Sequence, residues 1–448
     1  MKVSILEFGA SEQKKNNAEA IQAAINKVSK TGGTVSVPAG EYVTGTFQLF
    51  SGVTLRVERG AVLKGSTDMM DYPETGLVHN ELGMVKALIF SKDADHIAIE
   101  GEGIIDFQAA AFFDYSVPNS PDLDISDFNE RQLKEFSVKP IDRPNSMIFL
   151  TGSTDVSIRD IILLDAACWN VVLNSCDTIK VKNITIRGDQ RIPNDDGVHL
   201  CSCKNAVISD CDIVSGDDCI AITGINDWTH ICENIVVNNC ILSSASSGFR
   251  IGYWRSKVRN IQINNCTIHN TGRGICFNAC NSGYVKDVTI NNLMVSTRAR
   301  AGKWWGRGEA LYFNAIAYDL GSQKGHKYDR EDIYPNISNI TVRGLNAACN
   351  VGLAFIGEKK NIQHIRLRDA NIAIENTNNR DVFGDVIDLR PNTRQVPMSA
   401  DSSYWLYVEE VKDLLLQDVD IQNNMHGAVH QVEQKIVASE DVQLSYRM

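Results

Sequence analysis

The chain has 448 residues, 43% hydrophobic and 22% charged, with a formal net charge of −11. That composition excludes a mainly disordered chain. The acidic balance argues against a nucleic-acid partner, and no apolar run approaches the ~18 residues of a membrane span. A length prior of about three compact domains fails for repeat architectures, so periodicity has to be tested first.

The opening MKVSILEFGA lacks the apolar core of about 7–15 residues that a signal peptide needs. A cytoplasmic location is therefore expected, or secretion if a leader has been removed. Ala18–Lys30 places Ala20, Ile21, Ala24, Ile25 and Val28 at helical spacing, and Gly32-Gly33 ends the pattern. Such a helix would cap the open end of a solenoid, so residues 1–75 read as a cap with the first rungs. Residues 107–145 read as an inserted, partly helical excursion because of FNERQLKEF.

From residue 156 one pattern recurs: apolar, any, apolar, two polar, apolar or Cys, any, apolar. It begins at Val156, Ile179, Ala206, Ile235, Ile261, Val288, Ile340, Ile365 and Leu414, with steps of 23, 27, 29, 26, 27, 52, 25 and 49. The two long steps read as hiding one copy each. Period-2 alternation means strands. A second short strand follows each copy, as in Val198–Leu200 and Ile220–Ile222. Short strands at this period imply an all-β solenoid, a single-stranded parallel β-helix of about ten rungs forming one domain over 1–448. Antiparallel sandwiches or propellers should leave Asn-Gly hairpin signals, and none occurs. Residues 296–336, rich in Trp, Arg and Gly, form a second insertion, and 376–448 hold the last rungs and tail. The 12 Cys mostly occupy apolar positions and read as reduced core residues. Their spacing does not fit zinc, and no metal or cofactor is expected.

Stacked rungs lie about 4.8 Å apart, so equal offsets bring residues together. Two positions before the second strand's first apolar residue stand Trp169, Asp196, Asp218, Ser247, Arg273 and Glu309. One position further back stand Asp195, Asp217 and Ser246. Asp196, Asp217 and Asp218 are thus expected at one strand entrance. Like charges so close raise at least one pKa, as a general acid at neutral pH requires. Asx turns or a calcium site are the competing readings. His199 and Tyr312 face outward beside this cluster. Trp304 and Trp305 offer faces for sugar rings.

The residues FGA (8–10), AIQAAI (20–25), GGTVSVPAGEYVTG (32–45), IEGEGIID (99–106), NDDGVH (194–199) and GDDCIAI (216–222) together resemble glycoside hydrolase family 28, the polygalacturonase family. The resemblance implies a right-handed β-helix and an inverting hydrolase acting on a pectin-related glycan. It makes Asp217 the general acid, Asp196 and Asp218 the water-activating pair, and Asn194 a substrate contact. Two departures stand out. Ser247 occupies the family's His position, and Cys276 and Asn278 occupy its Arg and Lys positions. The substrate carboxylate grip is therefore missing or rebuilt around Arg250 or Arg273. A polysaccharide lyase or epimerase on the same scaffold is the alternative, weakened by the lack of a Lys near the Asp cluster. A non-catalytic glycan-binding β-helix is the third reading.

Overall fold

The computed structural model describes residues 1–225, 230–317, 334–376, 386–390, 392, 394, 396–398, 402–427 and 431–448. Parallel strands stack into a right-handed β-helix. The apolar repeat positions form ladders through the interior: Ile179 pairs with Ala206, Ala206 with Ile235, and Ile235 with Ile261. Ile208, Val237 and Ile263 stack on successive rungs as the period requires. Among the described residues the second-strand series forms its own sheet of 12 strands, against about ten rungs expected. In its later rungs Phe277, Phe313 and Phe355 stack with ring centroids 4.3 and 4.6 Å apart.

Asn residues at bends within the strands have a definite task. Asn205, Asn234 and Asn260 adopt left-handed φ of 54°, 62° and 56°, a conformation that Asn tolerates better than most residues. Their amides form a ladder, Asn234 to Asn205 at 3.0 Å and Asn260 to Asn234 at 3.2 Å. Bends that would otherwise leave polar groups unpaired are closed by side chains.

The helix α1, Ala18–Val28, buries Ala20, Ile21, Ala24, Ile25 and Val28 against the first strands. It covers apolar rungs that would otherwise face water. All 12 Cys are unbridged and buried, and Cys211, Cys240 and Cys266 are among those in the core.

One sequence expectation is corrected. The long steps hide no copies: Val288 pairs directly with Ile340, and Ile365 with Leu414. Within these steps Glu309–Asn314 and Ser402–Glu409 still pair in the second sheet, and residues 318–333, 377–385, 391, 393, 395 and 399–401 lie outside the described residues. The insertion at 107–145 is partly helical, with 3-10 turns at Ala109–Phe112 and Gln132–Lys134, and also carries an antiparallel pair, Phe113–Pro118 with Val138–Pro140. Within FNERQLKEF only Gln132–Lys134 is helical, as a 3-10 turn. Apolar residues there pack onto the solenoid rather than along one helix face, and Phe136 and Val138 join its core.

Candidate active site

Backbone register sets the site. Val171, Val198, Ile220, Phe249, Ile275 and Leu311 pair in sequence across six strands of the 12-stranded sheet. Asp196 and Asp218 therefore enter neighbouring strands at the same level. The motif glycines permit the tight approach this needs. A Cβ on Gly197 would sit 2.4 Å from the Cys219 carbonyl oxygen, and one on Gly216 only 2.0 Å from that of Ile192.

The two aspartates of NDDG divide their roles. Asp195 is fully buried and accepts from Asn170 Nδ2 at 2.7 Å and from the Gly216 N–H at 2.9 Å. It fastens one motif to the next. Asp196 points into a cavity of about 310 Å³ that Asp217 and Asp218 also line. Burial, then the neighbouring Asp218 charge, pushes the Asp217 carboxyl up to about 7. Burial, then the Asp217 charge, raises Asp196 well above the usual carboxylate range. The Asp218 Oδ1 accepts from the Ser246 hydroxyl at 3.1 Å and the Ser247 N–H at 3.2 Å.

Arg250 spans the cluster. Its Nε lies 2.6 Å from Asp218 Oδ2, and its Nη2 donates to Asp196 Oδ2 at 3.3 Å. The guanidinium packs over the Tyr253 ring at 4.7 Å. Register places it between Ala221 and Cys276, one rung before Cys276. Asn194 is exposed at the cavity and its Oδ1 accepts from Arg143 Nη2 at 2.9 Å.

Loops wall the cavity. Asn119–Pro121 comes from the first insertion and Lys303–Trp305 from the second. They are locked together. Arg298 Nη1 reaches Glu135 at 2.9 Å, the Ala301 N–H donates to Glu135 Oε2 at 3.1 Å, and Trp304 Nε1 donates to the Glu135 carbonyl at 2.7 Å. Lys303 also pairs with Asp122. Arg390 holds the second insertion from the C-terminal side through the carbonyls of Lys303 and Trp304, at 2.8 and 2.5 Å.

The sequence profile of the glycosyl hydrolases family 28 matches residues 29–302. The chain belongs to that family. It is 28% identical over 375 residues to a probable polygalacturonase of Vitis vinifera, covering 78% of this chain and 69% of that one. It is 25% identical over 333 residues to a polygalacturonase of Nicotiana tabacum, covering 64% and 75%. In fold it is similar to a Thermotoga maritima exopolygalacturonase, with TM-score 0.64, 20% identity and coverage of 84% and 87%. A polygalacturonase from Erwinia carotovora gives TM-score 0.58, 17% identity and coverage of 96% and 95%.

Not every expected contact of this family 28 hydrolase reaches the cavity. Asp196, Asp217, Asp218, Asn194, Arg250, Trp304 and Trp305 line it. Trp304 is only 6% exposed, so its ring chiefly anchors the insertion, whereas Trp305 is half-buried. His199 lies behind the lining with no exposure, 4.2 Å from the Trp169 ring and with Nδ1 3.1 Å from Asp196 Oδ2. Burial, then the Arg250 charge, drives its pKa well down, so it is neutral.

Arg273, Glu309 and Tyr312 are drawn into an internal cluster instead. Arg273 Nε is 3.4 Å from Glu309 Oε2, and its guanidinium covers the Tyr312 ring at 3.9 Å. Arg273 also donates to the Asp388 carbonyl at 2.5 Å. Asp388 comes from the C-terminal excursion, whose arrival no repeat spacing foretells. Ser247 is buried, and only its backbone touches Asp218.

Among the lining residues that local sequence missed are Glu81, Lys303 and Tyr253. The expectation of no lysine near the Asp cluster is thus corrected, since Lys303 arrives from an insertion. Glu81 is brought by the hairpin Val78–His79 and Gly83–Met84. Its side chain is exposed to the cavity, yet the surrounding walls, then Arg250 and Asp218 in opposite senses, leave its carboxyl above the usual range. No motif marks it.

Proposed function

We propose that this enzyme is an inverting hydrolase of a pectin-related glycan, with Asp217 as general acid and Asp196 and Asp218 as the water-activating pair. One observation carries the reading: Asp217 is held near pKa 7 beside two carboxylates that share one guanidinium. A group poised near neutrality donates a proton efficiently. Carboxylates braced by a cation accept one.

In the step, the Asp217 proton passes to the glycosidic oxygen as the bond from that oxygen to the anomeric carbon breaks. A water attacks the same carbon from the opposite face and gives a proton to the Asp196–Asp218 pair. The products are an alcohol and a hemiacetal of inverted configuration. Inverting pairs need roughly 6.5–9.5 Å between acid and base, so that water fits. Asp217 then regains its proton as the pair releases one.

The interlocked insertions and the Glu81 hairpin close around the cavity, which favours release of residues from a chain end. The test is product analysis on pectic oligosaccharides. New reducing ends without an unsaturated chromophore, appearing first as the inverted anomer by NMR, support the reading. An unsaturated product would establish elimination instead, and binding without turnover would establish a lectin-like role.

A further inference from the structure

Among the described residues, the cavity is lined by four carboxyl groups, Glu81, Asp196, Asp217 and Asp218, and two cations, Arg250 and Lys303. Both cations are already engaged. Arg250 faces Asp218 and Asp196 at 2.6 and 3.3 Å, and its other side covers Tyr253. Lys303 pairs with Asp122 on the facing insertion. The next cation along the strands, Arg273, is 1% exposed and tied to Glu309 and Asp388.

The strand positions around Arg250 add no charge. Ser247 and Asn278 are neutral side chains, and burial pushes the Cys276 thiol up to about 12. A uronate carboxylate at the cleavage point would therefore lose its hydration without an uncommitted cation to meet it. It would also face Glu81.

The Glu81 backbone is held in place by its hairpin. His79 Nδ1 accepts from the Glu81 and Leu82 N–H groups at 3.3 and 3.4 Å. The same ring packs edge-on to Trp169 at 5.3 Å. Asn80 Nδ2 donates to the Ile225 carbonyl at 3.0 Å, tying the loop to the solenoid. A glutamate carboxyl accepts from paired hydroxyls and, once ionised, has no donor for a carboxylate.

We infer that the sugar held at the cleavage point is neutral and that Glu81, accepting from its hydroxyl groups, is the residue that excludes uronates. This inference rests on the hydrolase reading for its location and names the substrate class of that site.

The experiment is a binding titration by ligand-detected NMR with three sugars that differ only at C6: galacturonate, galactose and 6-deoxygalactose. Wild-type protein should bind at least one neutral sugar with a Kd at least tenfold below that of galacturonate. In Glu81→Gln the gap should shrink at least threefold, mainly through tighter galacturonate binding. In Glu81→Ala the neutral sugar should also weaken. Tighter binding of galacturonate by wild type, no binding of either neutral sugar, or an unchanged gap in Glu81→Gln would overturn the inference. The hydrolase reading fails separately, if Asp217→Asn retains wild-type turnover while the binding gap stands.

Discussion

Replacing Asp217 by Asn should remove activity and raise stability, with a pH signature that combines the loss of this carboxyl with relief of Asp196, which the Asp217 charge raises. In the folded protein it titrates near 7, against 3.8 for an ordinary Asp. Below about pH 4 both folded and unfolded states hold the proton, and a neutral Asp resembles Asn, so the two proteins should be equally stable. As pH rises towards 7 the unfolded chain releases the proton while the folded state keeps it, and wild-type stability falls. Above pH 7 the folded carboxyl ionises too and the gap stops growing. At about 1.36 kcal/mol per pKa unit, a rise from 3.8 to about 7 puts this carboxyl's own share of the gap at about 4 kcal/mol. Urea unfolding of both proteins at about pH 4 and about pH 8 measures it. Turnover should fall about 10²–10⁴-fold, the usual worth of a general acid. Equal stability at both pH values would refute the burial argument, and near-wild-type turnover would refute the catalytic assignment.

Arg250→Ala removes the cation that lowers both Asp196 and Asp217, so both limbs of the kcat/KM profile should move to higher pH; an unchanged profile would show that Arg250 does not tune the cluster. Asp195→Ala leaves the Gly216 N–H and the Asn170 amide without their acceptor, which should cost about 1–3 kcal/mol in chemical denaturation and disturb the site only through its backbone. Gly216→Ala drives a Cβ to 2.0 Å from the Ile192 carbonyl, and the GDD turn should shift, seen as lost turnover with the far-ultraviolet spectrum of the sheet retained. Glu135→Ala frees Arg298 and the Ala301 N–H but keeps the Trp304 bond to the main-chain carbonyl, so the insertions should become protease-sensitive while the solenoid melts as before.

How much was legible follows from what each residue interacts with. Rung assignment needed only the period, because apolar residues at equal offsets must share one interior, and Ile208, Val237 and Ile263 do. The same offsets brought Asp196 and Asp218 together, since hydrogen-bond register between parallel strands transmits sequence position directly into space. They also put Asp195 in the column of Asp217, yet Asp195 is buried away from the cavity. Alternation sends neighbouring side chains to opposite sides, and which side faces the cavity depends on Asn170 and Gly216 from other rungs.

The offset rule failed where a side chain answers to a residue outside the repeat. Arg273 and Glu309 occupy the right column, yet Asp388, from beyond the period, helps hold them inside. Glu81 and Lys303 line the cavity for the converse reason, because hairpin and insertion loops cross the groove at positions no period encodes. The sequence by itself determined the solenoid, its cap and the carboxylate column, all consequences of local repetition and strand register. Only the tertiary structure decided which charges are spent on one another and which remain for a substrate, because that balance is struck between loops distant in the chain.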